Sequence, residues 1–348
     1  APIRLRGEPG AVLNQPGAAC RHQSILELET WDEPGLVAHW QIEDLEIANA
    51  PRYGIDLRHA RHVIVRCNRV HHSKLTGIFT AFADDILVEE NHSHHNGEHG
   101  VYFSNSGDRP VARGNRLNAN RACGIHMNGD LSAGGDGIIA DGLIEKNIIN
   151  GNGTSGGAGI NMDGVVRTIV RNNLLYANHA TGIALFKGNG AVASSHNRIL
   201  NNTVVMYPDA GWALSLLGDD CVSNRVFNNV LWSPHPQRGS ICVSRPRPEG
   251  FASDYNILTR WFSPDGGGHR IDHHAWRALG YDTHSVITTL DRLFVDTYSD
   301  NFRLKPGSPA IDAGCPLEEV RDDLDSRSRP RRGRRLIGAA WDIGAYEY

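Results

Sequence analysis

Apolar and polar residues alternate with a period of two along much of this chain, in short runs that each open on glycine. The runs are GIDLR at Gly54, GIFTA at Gly77, GVYFS at Gly100, GIHMN at Gly124, GINMD at Gly159, GIALF at Gly182 and GWALS at Gly211. Alternation at period two is the signature of a half-buried strand, not of a helix. Ile55 and Leu57, Val101 and Phe103, Ile125 and Met127, and Ile160 and Met162 share one parity and are assigned to the core. A second inward column, Val70, Leu117, Ile149 and Leu175, follows a recurrent asparagine.

The glycines are spaced by 23, 23, 24, 35, 23 and 29 residues. Asparagine keeps the same step at Asn68, Asn91, Asn115, Asn147, Asn173, Asn202 and Asn229, and a further asparagine follows at Asn96, Asn120, Asn152 and Asn178. Asparagine tolerates the left-handed conformation of a tight turn, and stacked side-chain amides can hydrogen-bond from one layer to the next. Short strands joined by Gly/Asn turns, repeated near 23 residues, describe the coil of a parallel β-helix. Leucine-rich repeats lack this pattern, and helical repeats are longer. The long steps carry insertions, GDLSAGGDG and GNGTSGGAG in the first and KGNGAVAS and MYPDA in the second. The inserted region 130–158 is expected to form a loop beside a groove and not a coil of its own, with GLIEKNIIN inside it continuing the normal coil.

Residues 1–250 are therefore assigned to coils of one all-β solenoid. Residues 251–348 hold a last coil (FASDYNIL), a short helix and loop packed on the side (HAWRALGYDTHS), and a C-terminal cap of the same domain. The tail, LFVDTYSDNFRLKPGSPAIDAG followed by WDIGAYEY, resembles the closing segment of bacterial exported right-handed parallel β-helix proteins of the pectate-lyase-like superfamily. That resemblance implies a right-handed, single-stranded β-helix that is secreted or periplasmic. It implies a carbohydrate-directed protein without choosing among polysaccharide lyases, glycoside hydrolases, uronan epimerases and non-enzymatic spikes.

The net charge of −4 among 348 residues supplies no field that would draw the chain to nucleic acid. No apolar stretch has the length to span a bilayer, so no membrane insertion is expected. An export signal would lie ahead of this numbering. The basic run RSRPRRGRR, 327–335, reads as a solvated tail segment, and the aspartates of SPAIDAG and DDLD read as turn caps. The six cysteines show no CxxC spacing, which argues against a structural zinc site; Cys221 and Cys242 are a pair whose bridging sequence leaves open.

The outward positions of the first strand carry the candidate chemistry. Tyr102, His126 and Asn161 fall in one column, and Ser104, Asn128 and Asp163 in the next. Glu98 and His99 lie just upstream of Gly100, Asn105 just after its strand, and Lys187 past a later one. Outward polar residues occur on any solvated face. A plain face prefers Thr, Ser, Lys and Glu, however, whereas His, Tyr, Asn and Asp in register supply proton transfer and hydrogen bonding. Tyr102, His126, Asp163, Lys187 and His99 are the catalytic candidates; Asn105, Asn128, Asn161 and Glu98 are the substrate-binding ones. Asp130 and Asp163 are candidate calcium ligands, and no organic cofactor is expected.

Two reactions fit. A polysaccharide lyase removes the proton α to a uronate carboxylate that donors or calcium neutralise, with Tyr102 and His126 as acid and base and Lys187 as a second base candidate. A glycoside hydrolase needs two carboxylates, and Asp163 with Asp130, Asp136 or Glu98 could supply them. The strand face favours the lyase acting on an acidic polysaccharide or oligosaccharide. A uronan epimerase or a non-catalytic glycan-binding β-helix stays open. Two outlying histidine groups, the His71/His94 column and HRIDHH at 269–274, are weaker metal candidates.

Overall fold

The computed structural model describes residues 2–15, 24–30, 37–331 and 340–348. Three long sheets of ten, eleven and ten strands run side by side, and nearly every strand pairs in parallel with its counterpart one coil away. One coil contributes Ile64–Arg66 to the first sheet, Arg69–His71 to the second and Ile78–Ala81 to the third. Ile55, Ile78, Val101, Ile125, Ile160, Ile183, Leu214 and Ile241 pair in succession up the third sheet and are fully buried in one core cluster. Each such side chain contributes roughly 1.5–3 kcal/mol of burial. A single coil has nothing to bury them against, so stacking is what makes the fold stable.

The glycine column is a packing requirement. A Cβ on Gly100 would lie 2.8 Å from the carbonyl oxygen of Gly124 in the next coil. The register follows the glycines as far as Gly182 and then departs. Ile183 pairs with Leu214 and Ala184 with Ser215, so Ala213, not Gly211, takes the glycine position, and Ser215 joins the column of Tyr102. Gly211 instead packs against Thr181 at the preceding turn.

The asparagines form a ladder. Asn68 donates its backbone N–H and its Nδ2 to Oδ1 of Asn91, at 3.0 Å each, and Asn91 does the same to Asn115. The Nδ2 groups also reach inward to carbonyls such as Val65 and Val88. A second ladder runs Asn96, Asn120, Asn152, Asn178. The left-handed residue of each corner is the one before the ladder asparagine: Cys67, Glu90, Gly114 and Lys146. Ladder positions thus require the amide and not the backbone conformation first invoked for them. The ladder also meters the coils, with steps of 23, 24, 32, 26, 29, 27 and 27 residues. Later coils exceed the expected 23 because their corners are longer.

The two ends of residues 251–348 trade the places expected of them. Helix His273–Ala278 seats Trp276, fully buried, in the main core and parallel to Phe262, 5.0 Å away. Its indole Nε1 donates to buried Asp282 at 2.7 Å. Helix and loop therefore cover the end of the core. The tail runs along the outer face of the second sheet, where Leu293, Phe294, Phe302, Ile311, Ile343 and Tyr346 pack on Leu174, Tyr176, Val205, Val230 and Ile257. Arg329, from the run read as solvated, is buried against Glu347 at 3.0 Å and donates to the carbonyls of Asp342 and Gly344. Residues 332–335 of that run lie outside the described ones. Asp323 caps a turn as expected, accepting from the backbone N–H of Arg327. Cys221 and Cys242 are free and buried.

Asn115→Ala would strand the backbone N–H of Asn91 and the carbonyl of Val88. Leaving buried polar groups unpaired costs about 1–3 kcal/mol each, so urea unfolding should show a loss of roughly 2–4 kcal/mol without a change of fold by circular dichroism.

Candidate functional site

The outer face of the third sheet brings the site together. Strands Val101–Ser104, Ile125–Asn128 and Ala158–Asp163 place Tyr102 opposite His126, and His126 opposite Asn161. Neighbouring strands are about 4.8 Å apart. The His99 ring stacks on His126 at 4.5 Å and 8°, and Tyr102 stands edge-on to both, at 5.1 and 4.5 Å. Asn128 donates from Nδ2 to the Tyr102 hydroxyl at 3.3 Å. The Asn161 amide nitrogen lies 2.8 Å from Nδ1 of His126. Next to Tyr102, Phe79 stacks on Tyr53, and the Arg58 guanidinium covers Phe79 while pairing with buried Asp56.

This packing fixes protonation. Burial pulls His126 down to about 4, opposed by the Asp163 charge, and pulls His99 down to about 3 with help from His126. Burial raises the Tyr102 phenol, against hydrogen bonds from Ser104 and Asn128. At neutral pH the site therefore presents neutral imidazoles beside a protonated phenol.

Other expected site residues sit elsewhere or have other work. Asp163 is buried and accepts from the backbone N–H groups of Gly188, Asn189 and Gly190 at 2.7, 2.7 and 3.2 Å, so it holds the turn after the next strand. Asp130 is the N-cap of the short turn Leu131–Ala133, accepting from Ser132. Calcium takes six to eight oxygen ligands. A carboxylate committed to three N–H groups and another committed to a turn do not fit that ion, and neither carboxylate belongs to a ligand cluster among the described residues. Asp136 likewise accepts from Ile138 N at the loop. Of the 130–158 insertion only part is loop: residues 131–136 are exposed, whereas Ile139–Ala140, Leu143–Glu145 and Ile148–Asn150 are strands paired into the solenoid. Asn105 occupies a left-handed turn and accepts from Ser104 Oγ, while Lys187 is exposed at the rim. The backbone of Glu98 pairs with Leu75 and Ala122 in the adjoining coils.

One contributor escaped the sequence reading. Cys123, buried at the corner before Gly124, places Sγ 3.7 Å from Nδ1 of His126, and its N–H donates to Nδ1 of His99 at 3.2 Å. Its signal was its position three residues before His126, which a search for CxxC spacing passes over. The His71/His94 column lies on the second sheet, with rings stacked at 4.9 Å and His71 bound to Glu46. In HRIDHH, Asp272 caps the helix and His273 approaches the carbonyl of Asp282.

Two outcomes follow from these contacts. Asp163→Ala should lower stability by about 3 kcal/mol or more, since hydrogen bonds to a charged group are worth about 1.5–3 kcal/mol each, measured by urea unfolding. His99 and His126 have folded pKa values below the ordinary 6.5. Between pH 6.5 and about 4 the unfolded chain binds more protons there, so stability should fall as pH falls through that window. In the His99→Gln/His126→Gln variant, melting curves across that range should show a shallower fall.

The sequence profile of the family described as Right handed beta helix region matches residues 36–204. Among solved structures, the A-module of the mannuronan C-5 epimerase AlgE6 of Azotobacter vinelandii is similar with a TM-score of 0.52 and 16% identity, over 74% of this chain and 63% of that one. The chain thus spans less than two thirds of that module. Pectate lyase Pel9A is similar with a TM-score of 0.51 and 15% identity, over 92% of this chain and 76% of that one. At such identities the likeness is one of fold. No curated protein sequence matches.

Proposed function

We propose, from the premise that this chain is a right-handed parallel β-helix protein, that it is a carbohydrate-active enzyme cleaving an acidic polysaccharide by β-elimination. The observation that carries this reading is the contact of Tyr102 with His126, a protonated phenol against a neutral imidazole. The names of the epimerase and the lyase with similar folds refer to mannuronan and pectate, both uronate polymers, which supports the substrate class.

In this mechanism His126 takes the proton α to the uronate carboxylate. Its electron pair forms the new C=C bond as the glycosidic C–O bond breaks, and the Tyr102 hydroxyl protonates the departing oxygen. Turning the Asn161 amide so that its oxygen faces Nδ1 places the ring proton there and bares Nε2, the form a base requires. The Asn128 amide and Lys187 would then serve as carboxylate donors, which lower the cost of the carbanion. A hydrolase is disfavoured, because the two aspartates pointing outward on this face, Asp56 and Asp163, are both buried and engaged. Epimerisation uses the same groups with the proton returned to the opposite face of the carbon. A polymeric glycan substrate goes with secretion or a periplasmic location, which is part of the proposal.

Incubation with a panel of uronate polysaccharides should yield unsaturated-uronate absorbance together with new reducing ends. His126→Ala and Tyr102→Phe should each cut turnover by about a hundredfold or more, the usual worth of a positioned acid or base, with melting temperatures little changed. Full activity in both variants would move the site. New reducing ends without absorbance would indicate hydrolysis, and inverted uronate without chain cleavage would indicate an epimerase.

A further inference from the structure

We propose that His99, Cys123 and His126 form a binding site for a thiophilic divalent metal ion of the zinc class. Among the described residues they are the one group of three or more His, Cys, Asp or Glu side chains whose ligand atoms converge, all within 4.8 Å of one another. A buried thiol is most often plain packing. This one is flanked by two imidazoles on the site face, and sulfur with imidazole nitrogen is the donor set that soft and borderline ions select.

The geometry fits. Zinc bound tetrahedrally at about 2.3 Å to sulfur and about 2.0 Å to nitrogen separates those two atoms by about 3.5 Å, and Cys123 Sγ lies 3.7 Å from His126 Nδ1. The Asn161 amide nitrogen lies 2.8 Å from Nδ1 of His126, and the Cys123 N–H donates to Nδ1 of His99 at 3.2 Å. A metal therefore has to displace these contacts, including the proton that the base form of His126 carries on Nδ1, and one of the two parallel rings has to turn for both nitrogens to face one ion. Burial pushes the Cys123 thiol up to about 12, against the Ala158 N–H that points at the sulfur from 3.4 Å, and a Cβ on Gly157 would come within 2.7 Å of the sulfur. Surrounding hydrogen bonds of this kind orient metal ligands. Three protein ligands leave a fourth position for solvent or a groove-bound ligand. On binding, the Cys123 thiol proton passes to solvent, three metal–ligand bonds form, and no electron is transferred.

The site shares His126 with the proposed chemistry. Resting on that reading, a bound ion occupies the imidazole needed for proton transfer, so zinc should inhibit turnover.

The test titrates chelator-treated, full-length protein with cadmium, whose thiolate charge-transfer band in the ultraviolet reports sulfur ligation, and then displaces it with zinc. One cadmium per chain should raise the band. Cys123→Ser should abolish it, and His99→Ala, at a half-buried position, should weaken binding by about tenfold or more. Cys67→Ser, which removes an exposed thiol, should leave the band intact. Melting curves check that each variant is folded. No band in the wild type, a band that survives Cys123→Ser, or unchanged affinity in His99→Ala would overturn the site. If the band behaves as stated but metal-free protein acts on no uronate polymer, the metal site stands and the proposed reaction falls.

Discussion

The paired amide hydrogen bond between successive ladder asparagines is the interaction on which the rest of this molecule depends. A solenoid corner turns the backbone inside the protein, where N–H and C=O groups have no water. Asn91 meets that need from both sides: its Oδ1 accepts from Asn68, and its Nδ2 donates to Val65 and to Asn115. Leaving such groups unpaired is more costly than a hydrogen bond is favourable. The ladder therefore fixes where each coil turns and keeps the next coil in register whatever its length. The 32-residue step between Asn115 and Asn147 carries an insertion without disturbing the pairing on either side.

That tolerance allows a site to exist on a rigid face. Strand pairing alone sets Tyr102, His126 and Asn161 side by side, so no loop has to close to assemble them. The same packing that orients the rings also withdraws them from water, and this keeps both imidazoles neutral and the phenol protonated. The buried carboxylates nearby stabilise turns or cations of the protein itself. Asp163 binds three backbone N–H groups, and Asp56 binds Arg58.

The C-terminal segment extends the solenoid by a different means. Where the stacking ends, Trp276 substitutes for the missing coil by covering Phe262. The tail then returns along the second sheet, anchored by Arg329 and Glu347, a buried ion pair whose remaining donors are taken by backbone carbonyls. Burial raises the Glu347 carboxyl to about 7 against the pull of Arg329, which shows how far this anchor is withdrawn from solvent.

The sequence by itself determined the architecture and the direction of each strand side chain. Period-two alternation decides whether Val101 faces the core or Tyr102 faces out, and a glycine or asparagine recurring at one phase decides that the strands stack. It therefore identified the column from Ile55 to Ile160 and the row of Tyr102, His126 and Asn161. Only the tertiary structure decided depth and partnership. Whether Asp163 meets a ligand or the turn at Gly188–Gly190, whether Cys123 is filler or neighbour to two imidazoles, and whether a helix or a tail covers the last coil depend on corner lengths. The Gly211 register shows the limit. A two-residue difference in one corner preserves the alternation, so the pattern reads correctly while the pairing moves, because parity reports the face of a sheet and carries no information on which residue stands opposite.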